Sequence, residues 1–185
     1  MNFPTPALIL TPMRPTHLER ELERLHPECW GWALACCERN RERAEDCLQS
    51  AYLRILAGRA RFDGRSTFRT WVFGVIRLVA MEDGRRQRLD ATRVAGDAYS
   101  VLAVDPAPTP DMLAEYSERS AALLAALATL SPRQREILHL VFYHDMSIEE
   151  AAQVMNVSLG SARTHYDRGK KALARELSRE GGRTR

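Results

Sequence analysis

Near the C-terminal end of the chain, "SLGSARTHYDRGKKAL" places Ser161, Thr164, His165, Arg168 and Lys171 on one side of a predicted helix, with Ser158 and Arg163 close by. These side chains carry hydroxyl, imidazole, guanidinium and ammonium donors, the groups that reach phosphate oxygens and base edges in duplex DNA. Asp167 is the only acid among the outward-tending positions. That bias favours a nucleic-acid surface over a solvated helix face, where mixed signs are expected. A second set is Arg69, Phe73 and Arg77, spaced i, i+4, i+8. Two arginines bracketing an aromatic suit single-stranded nucleic acid, where bases stack and phosphates pair. They equally suit an aromatic in a minor core with arginines lying along it. A third set is Cys29, Cys36, Cys37 and Cys47. Their spacing fits neither paired CxxC knuckles nor a Cys/His zinc site, so packing as small buried hydrophobes is the better reading. A metal- or redox-active role would draw on the same four thiols and His26.

Helices must position all of these groups. Ser147-Ile148-Glu149-Glu150 and Ser131-Pro132-Arg133-Gln134 both read as capping boxes, the second with proline in its first turn. Asn156 can take a left-handed turn and Ser158 can cap the helix that follows. Ala151 and Ala152 permit a close crossing, and Gly160 keeps the start of the second helix slim. Together they predict a helix-turn-helix in which Leu159, Ala162, Tyr166 and Leu173 face inward. Upstream, Leu123, Leu124, Leu127 and Leu130 mark one helix, and Ile137, Leu138, Val141 and Phe142 line the next.

In the first half, Leu18, Leu22 and Leu25 predict a helix that Pro27 closes. Cys29, Trp30, Ala33, Cys36 and Cys37 predict another after it. A helix over 44–56 turns Ala44, Cys47, Leu48, Ala51, Tyr52, Ile55 and Leu56 inward. Its opposite stripe holds Asp46, Gln49, Ser50 and Leu53, a leucine among polar groups that suits a protein contact. Ser66 or Thr67 caps the next helix, whose inward stripe is Phe68, Trp71, Val72, Val75, Ile76 and Val79.

The fold class is therefore all-α, in two helical domains with a linker between them. Residues 90–116 are rich in Ala, Asp and Pro, have no sustained period, and are too long for a connection inside one compact domain. The predicted organisation is a loose tail over 1–15, domains over 16–89 and 117–178, and a basic tail over 179–185. The net charge of +3 is unevenly placed: basic blocks flank an all-acidic stretch from Asp97 to Glu115, as expected of two surfaces that meet a polyanion. No apolar run reaches membrane-spanning length, "FPTPALILTPM" lacks the basic leader of a signal peptide, and the cysteines are not spread as staples. These features point to a cytoplasmic protein with no membrane partner.

"AEDCLQSAYLRIL" followed by "FDGRSTFRTWVFGVIR" resembles sigma region two of the extracytoplasmic-function sigma factors of bacterial RNA polymerase. "LSPRQREILHLVFYHDMSIEEAAQVMNVSLGSARTHYDRGKKAL" resembles their sigma region four. The likeness spans roughly residues 18–88 and 118–177, and both motifs in this order are far more specific than either alone. It implies a promoter-specificity subunit with no enzymatic activity, catalytic residue, cofactor or metal. Asp46, Gln49, Ser50 and Leu53 would bind the clamp helices of the largest polymerase subunit. Asp63, Arg65, Ser66 and Thr67, with Arg69, Trp71, Phe73 and Arg77, would open and read the −10 element. Ser158, Ser161, Arg163, Thr164, His165, Arg168 and Lys171 would read the −35 element in promoter DNA, with that domain on the flap of the second-largest subunit. The acidic linker would thread the polymerase cleft, and an anti-sigma factor is a further partner of the kind the family uses. The chain departs from the family pattern at Ser50, where a carboxylate is common, at Gly74 (Arg), at Leu78 (Asn) and at Asp145 (Gly). The cysteine cluster is also foreign to that pattern. The competing reading is a DNA-binding regulator that never joins polymerase.

Overall fold

The computed structural model describes residues 15–94 and 118–181, and every regular element in them is a helix. The predicted N-terminal tail to residue 14, most of the linker and the last four residues lie outside the described part.

The first helix, α1 (Pro15–Cys36), contains Pro27 in its interior, where a helix end was expected. Leu22, Leu25, Cys29, Trp32 and Ala33 form one buried stripe at spacings of three and four that stays in phase across the proline. Pro27 lacks an N–H and frees the carbonyl four residues back. Both Glu23 and Pro27 are exposed, so water can satisfy that carbonyl while the stripe stays buried. The buried tryptophan is Trp32, and Trp30 is only partly covered.

Glu38 and Arg39 turn the chain through the left-handed region (φ 56° and 62°). Asn40 then caps α2 (Arg41–Leu56) by accepting from the Arg43 N–H at 3.0 Å. Ala44, Cys47, Leu48, Ala51 and Ile55 are its buried face, whereas Leu56, expected inside, is exposed at the helix end. Of the two candidate caps for α3 (Phe68–Val94), Thr67 serves: its Oγ1 accepts from the Thr70 N–H at 3.1 Å. This helix runs on to Val94, past the expected domain boundary at residue 89.

The second half comprises α4 (Glu118–Ala128), α5 (Pro132–Phe142), α6 (Ile148–Met155) and α7 (Leu159–Gly181). Ser131 and Ser147 form complete capping boxes with Gln134 and Glu150, and Asn156 ends α6 in the left-handed region at φ 51°. Leu140 is buried on α5, while Phe142 is 60% exposed, against the expectation that it lines the core.

Val72, Phe73, Ile76 and Val79 of α3 belong to the same buried cluster as Ile137, Leu140, Met146, Ala151, Ala152 and Val154 of the second half. Trp32 ties α1 into it, with its ring stacked 5.8 Å from that of Phe73 and its indole N–H donating to the Phe73 carbonyl at 3.0 Å. Helix α3 is thus a shared wall, covered by α1 and α2 on one side and by α6 on another.

Candidate nucleic-acid interface

Helices α6 and α7 cross through small residues. Ala151, Ala152 and Ala162 are buried, and Leu159, Tyr166 and Leu173 are partly buried. A separate tight approach, of α7 to α5, is at Gly169, where a Cβ would lie 3.2 Å from Leu138 Cδ1 and 3.3 Å from Gln134 Cβ. Gly160 is exposed, with no neighbour closer than 4.0 Å to a built Cβ, so it is not the residue that keeps the crossing slim. The Ser158 hydroxyl caps α7 by accepting from the Ser161 N–H at 3.1 Å.

The expected −35 residues Ser158, Ser161, Arg163, Thr164, Arg168 and Lys171 are all exposed, and His165 is partly buried. Thr164 spends its hydroxyl proton on the Gly160 carbonyl (2.9 Å), and Ser158 donates to Ser161 (2.9 Å). Arg163, Arg168 and Lys171 form no ion pair with any described residue, which leaves their charges available to phosphate.

On α2, Asp46, Gln49, Ser50 and Leu53 form an exposed stripe, and Leu53 is 61% exposed. No hydrogen bond or ion pair within the described residues engages the three polar members.

The loop before α3 is held locally. Asp63 accepts from the Arg65 N–H at 3.1 Å and pairs with its guanidinium at 3.4 Å, around a left-handed Gly64 at φ 71°. Phe62, Phe68 and Trp71 form an aromatic cluster with ring centroids 5.4–5.6 Å apart. Ser66 is partly buried and Thr67 exposed.

The expected open face of Arg69, Phe73 and Arg77 is closed in this structure. Phe73 is fully buried, between Trp32 and the edge-on ring of His144 at 4.7 Å. Arg69 pairs with Glu28 at 2.6 Å and donates to the His144 carbonyl at 2.5 Å. Arg77 is buried and paired with Glu136 of α5. The spacing correctly put the three on one side of α3. What covers that side is α1, through Glu28 and Trp32, together with Glu136 and His144 of the other half, to which i, i+4 spacing carries no pointer.

Sequence reasoning also missed Trp32, Glu28, Glu136, His139 and His144. His139 stacks on Trp32 (5.8 Å) and Tyr143 (4.8 Å), and His144 lies 5.0 Å away from it. Burial, then the Arg39 charge, pushes the His139 imidazole down to about 4. Burial, then His139 and Arg69, pushes His144 down to about 3. Both rings are held neutral. Burial raises the Glu136 carboxyl above its ordinary range, and the Arg77 charge opposes this.

Cys29, Cys37 and Cys47 are buried and Cys36 partly so, all as free thiols. Cys37 donates to the Arg43 carbonyl at 3.6 Å and Cys47 to the Ile76 carbonyl at 3.5 Å, so they act in packing. No group of three or more His, Cys, Asp or Glu side chains among the described residues is placed to hold a metal. Of the departures, Gly74 has open space at its Cβ position and Leu78 is 52% exposed. Asp145 sits at φ 51°, in the left-handed region that favours glycine, the residue the resemblance led one to expect there.

Residues 22–89 match the family described as Sigma-70 region 2, and residues 120–173 match Sigma-70, region 4. The chain is 33% identical to the ECF RNA polymerase sigma factor SigX of Bacillus subtilis over 148 residues, covering 77% of this chain and 75% of that protein. It is 30% identical over 142 residues to the ECF RNA polymerase sigma factor EcfG of Rhodopseudomonas palustris, covering 77% and 75%. Among solved structures, the sigma factor RpoE, in complex with the anti-sigma factor NepR from Bartonella quintana, superposes with a TM-score of 0.67 at 22% identity, covering 86% of this chain and 96% of that one. The similarity to that structure is one of fold.

Proposed function

The chain belongs to the ECF sigma factors of bacterial RNA polymerase, and from that membership we propose how its two halves divide the work of promoter recognition. As a sigma factor it directs promoter recognition with the polymerase and is not an enzyme. The stripe of Asp46, Gln49, Ser50 and Leu53 docks on the clamp helices of the largest polymerase subunit. Asp63 to Thr67, with Arg69, Trp71, Phe73 and Arg77, opens and reads the −10 element. The exposed face of α7, from Ser158 to Lys171, reads the −35 element in duplex DNA while its domain rests on the polymerase flap. The boundaries of 16–89 and 117–178 belong to this proposal, as does the path of the acidic linker through the cleft.

The observation that carries the reading is Leu53, 61% exposed on α2 amid polar side chains that have no hydrogen-bond or ion-pair partner among the described residues. A leucine held out of the core in this way is positioned for a partner surface, and burying it would contribute about 1.5–3 kcal/mol. The site of action is the cytoplasm, where polymerase works, and no helix among the described residues is long and apolar enough to cross a membrane. The RpoE relative was solved bound to an anti-sigma factor, and a partner of that class is proposed for this chain too.

Run-off transcription with purified core polymerase tests the reading. The intact chain should support promoter-dependent transcripts, and Leu53→Asp should abolish them while leaving duplex binding by α7 intact. Tight sequence-specific DNA binding by the chain alone, with no transcript when core enzyme is added, would identify a regulator that never joins polymerase.

A further inference from the structure

Cys37 and Cys47 take no part in the proposed interfaces, and both are buried as free thiols, 2% and 3% exposed. Cys37 is the first residue beyond α1, and Cys47 lies in the second turn of α2. The Cys37 Sγ sits 3.6 Å from the Arg43 carbonyl oxygen. That carbonyl is the acceptor, four residues back, for the helical N–H of Cys47, and helical side chains lean toward the N-terminal turn. One sulfur is therefore set over the other, and the Cys47 thiol is within hydrogen-bonding reach of the Cys37 sulfur. Filling space in a core asks for small apolar groups, but it does not ask for two sulfurs in contact.

The two sulfurs are not equivalent. The Cys47 hydrogen bond, and after it the Arg43 charge, draws the Cys37 thiol below its ordinary range against the effect of burial. The same bond, together with burial, pushes the Cys47 thiol up. When Cys37 ionises, the Cys47 S–H turns to it from the Ile76 carbonyl, 3.5 Å away. Arg43 is held beside the pair by Glu38 at 3.6 Å and by Asp83 at 4.0 Å. Cys37 is thus the nucleophile and Cys47 the thiol that resolves it. The adjoining turn of Glu38, Arg39 and Asn40 is exposed, and its first two residues hold left-handed angles of 56° and 62°. That conformation is unfavourable without glycine, so the turn is a low-cost place for local opening, which brings Cys37 to solvent.

We propose that Cys37 and Cys47 form a reversible disulfide on meeting a hydroperoxide, stapling the end of α1 to α2. The Cys37 thiolate attacks one peroxide oxygen. An S–O bond forms, the O–O bond breaks, and the departing oxygen carries off the Cys37 proton as water or an alcohol. The Cys47 sulfur then attacks the Cys37 sulfenic acid. The S–S bond forms, the S–O bond breaks, and hydroxide leaves with the Cys47 proton as water. Two electrons pass from the two thiols to the peroxide, and an added dithiol returns them by exchange. The bridge closes the turn whose opening admitted the oxidant, which makes the oxidised chain the more stable one. It lies on the buried face of α2 and leaves the stripe around Leu53 exposed.

The test treats the full, reduced, folded chain with hydrogen peroxide and follows it by thiol titration, peptide mapping and thermal unfolding. The chain should lose half of its four free thiols. Trypsin cuts after Arg39, Arg41 and Arg43, so Cys37 and Cys47 fall on separate peptides that only the bridge joins. Fragmentation of the joined peptides should place the bridge at Cys37 rather than at Cys36 or Cys29. Oxidation should raise Tm on the order of 5 °C, and dithiothreitol should reverse the rise. Cys47→Ala should stop at the Cys37 sulfenic acid, which dimedone traps, whereas Cys36→Ala should still form the bridge. The wild-type map and melt decide the question even where a variant fails to fold. A bridge between Cys36 and Cys37, a bridge between two chains, or one that forms only in urea would overturn the proposal. So would a Tm that oxidation leaves unchanged or lowers.

Discussion

Lowering the pH from 7.5 to 5.5 should weaken the folded chain through His139 and His144. Both imidazoles are held neutral, at about 4 and about 3, against about 6.5 for an unfolded histidine. A base with a depressed folded pKa binds more protons when unfolded, so stability is complete above about 6.5 and falls as the pH drops toward the folded values. At pH 5.5 each group costs about 1.4 kcal/mol relative to pH 7.5, or somewhat under 3 kcal/mol for the pair. That is a large part of the 5–15 kcal/mol typical of a domain. Arg39 and Arg69 reinforce the trend by repelling imidazolium. Glu28 faces the site but is paired with Arg69, and Glu136 is paired with Arg77. Glu136 opposes the trend, because its raised pKa makes the folded state the better proton acceptor. The double variant His139→Phe, His144→Phe removes the histidine contribution and leaves that of Glu136. It keeps the ring packing, and the Nε2 atoms it deletes have no hydrogen-bond partner. Urea unfolding followed by tryptophan fluorescence at the two pH values provides the comparison. The wild type should lose about 2–3 kcal/mol more than the double variant. Equal losses would refute the claim that burial holds these rings neutral.

Four further predictions concern the second half. Arg168→Ala should weaken duplex promoter binding by about 1–3 kcal/mol with relaxed specificity at one position, read by competition against single-base variants; a uniform loss would mark a phosphate contact. Asp145→Gly should raise stability by about 0.5–1 kcal/mol in urea unfolding, because only glycine adopts φ 51° without a side-chain penalty. Gly169→Val should cost about 1–3 kcal/mol in thermal unfolding by forcing α7 from Leu138 and Gln134. Gly160→Ala, with open space around it, should be neutral or slightly stabilising.

The sequence alone determined the features whose causes lie within a turn or two of chain. The capping boxes at Ser131 and Ser147, the left-handed Asn156 and the Ser158 cap are local hydrogen-bond arrangements, and residue types at fixed spacing suffice to write them. The exposed Leu53 stripe was legible because helical period separates it from Ala44, Cys47, Leu48 and Ala51. The tertiary structure decided what period leaves open, namely which element covers a given side. Pro27 reads as a stop until the stripe on either side of it is seen to be buried as one. Gly160 reads as the slim position of the helix pair until the space around it is found open, while Gly169 proves to be the glycine packed closely, against Leu138 of α5. Arg77 reads as a cation for phosphate until Glu136, fifty-nine residues away, is found beside it. A cap is chosen by its neighbours in the chain, but a cover is chosen by the apolar area two distant elements can bury together. That sum is available only after the chain has folded.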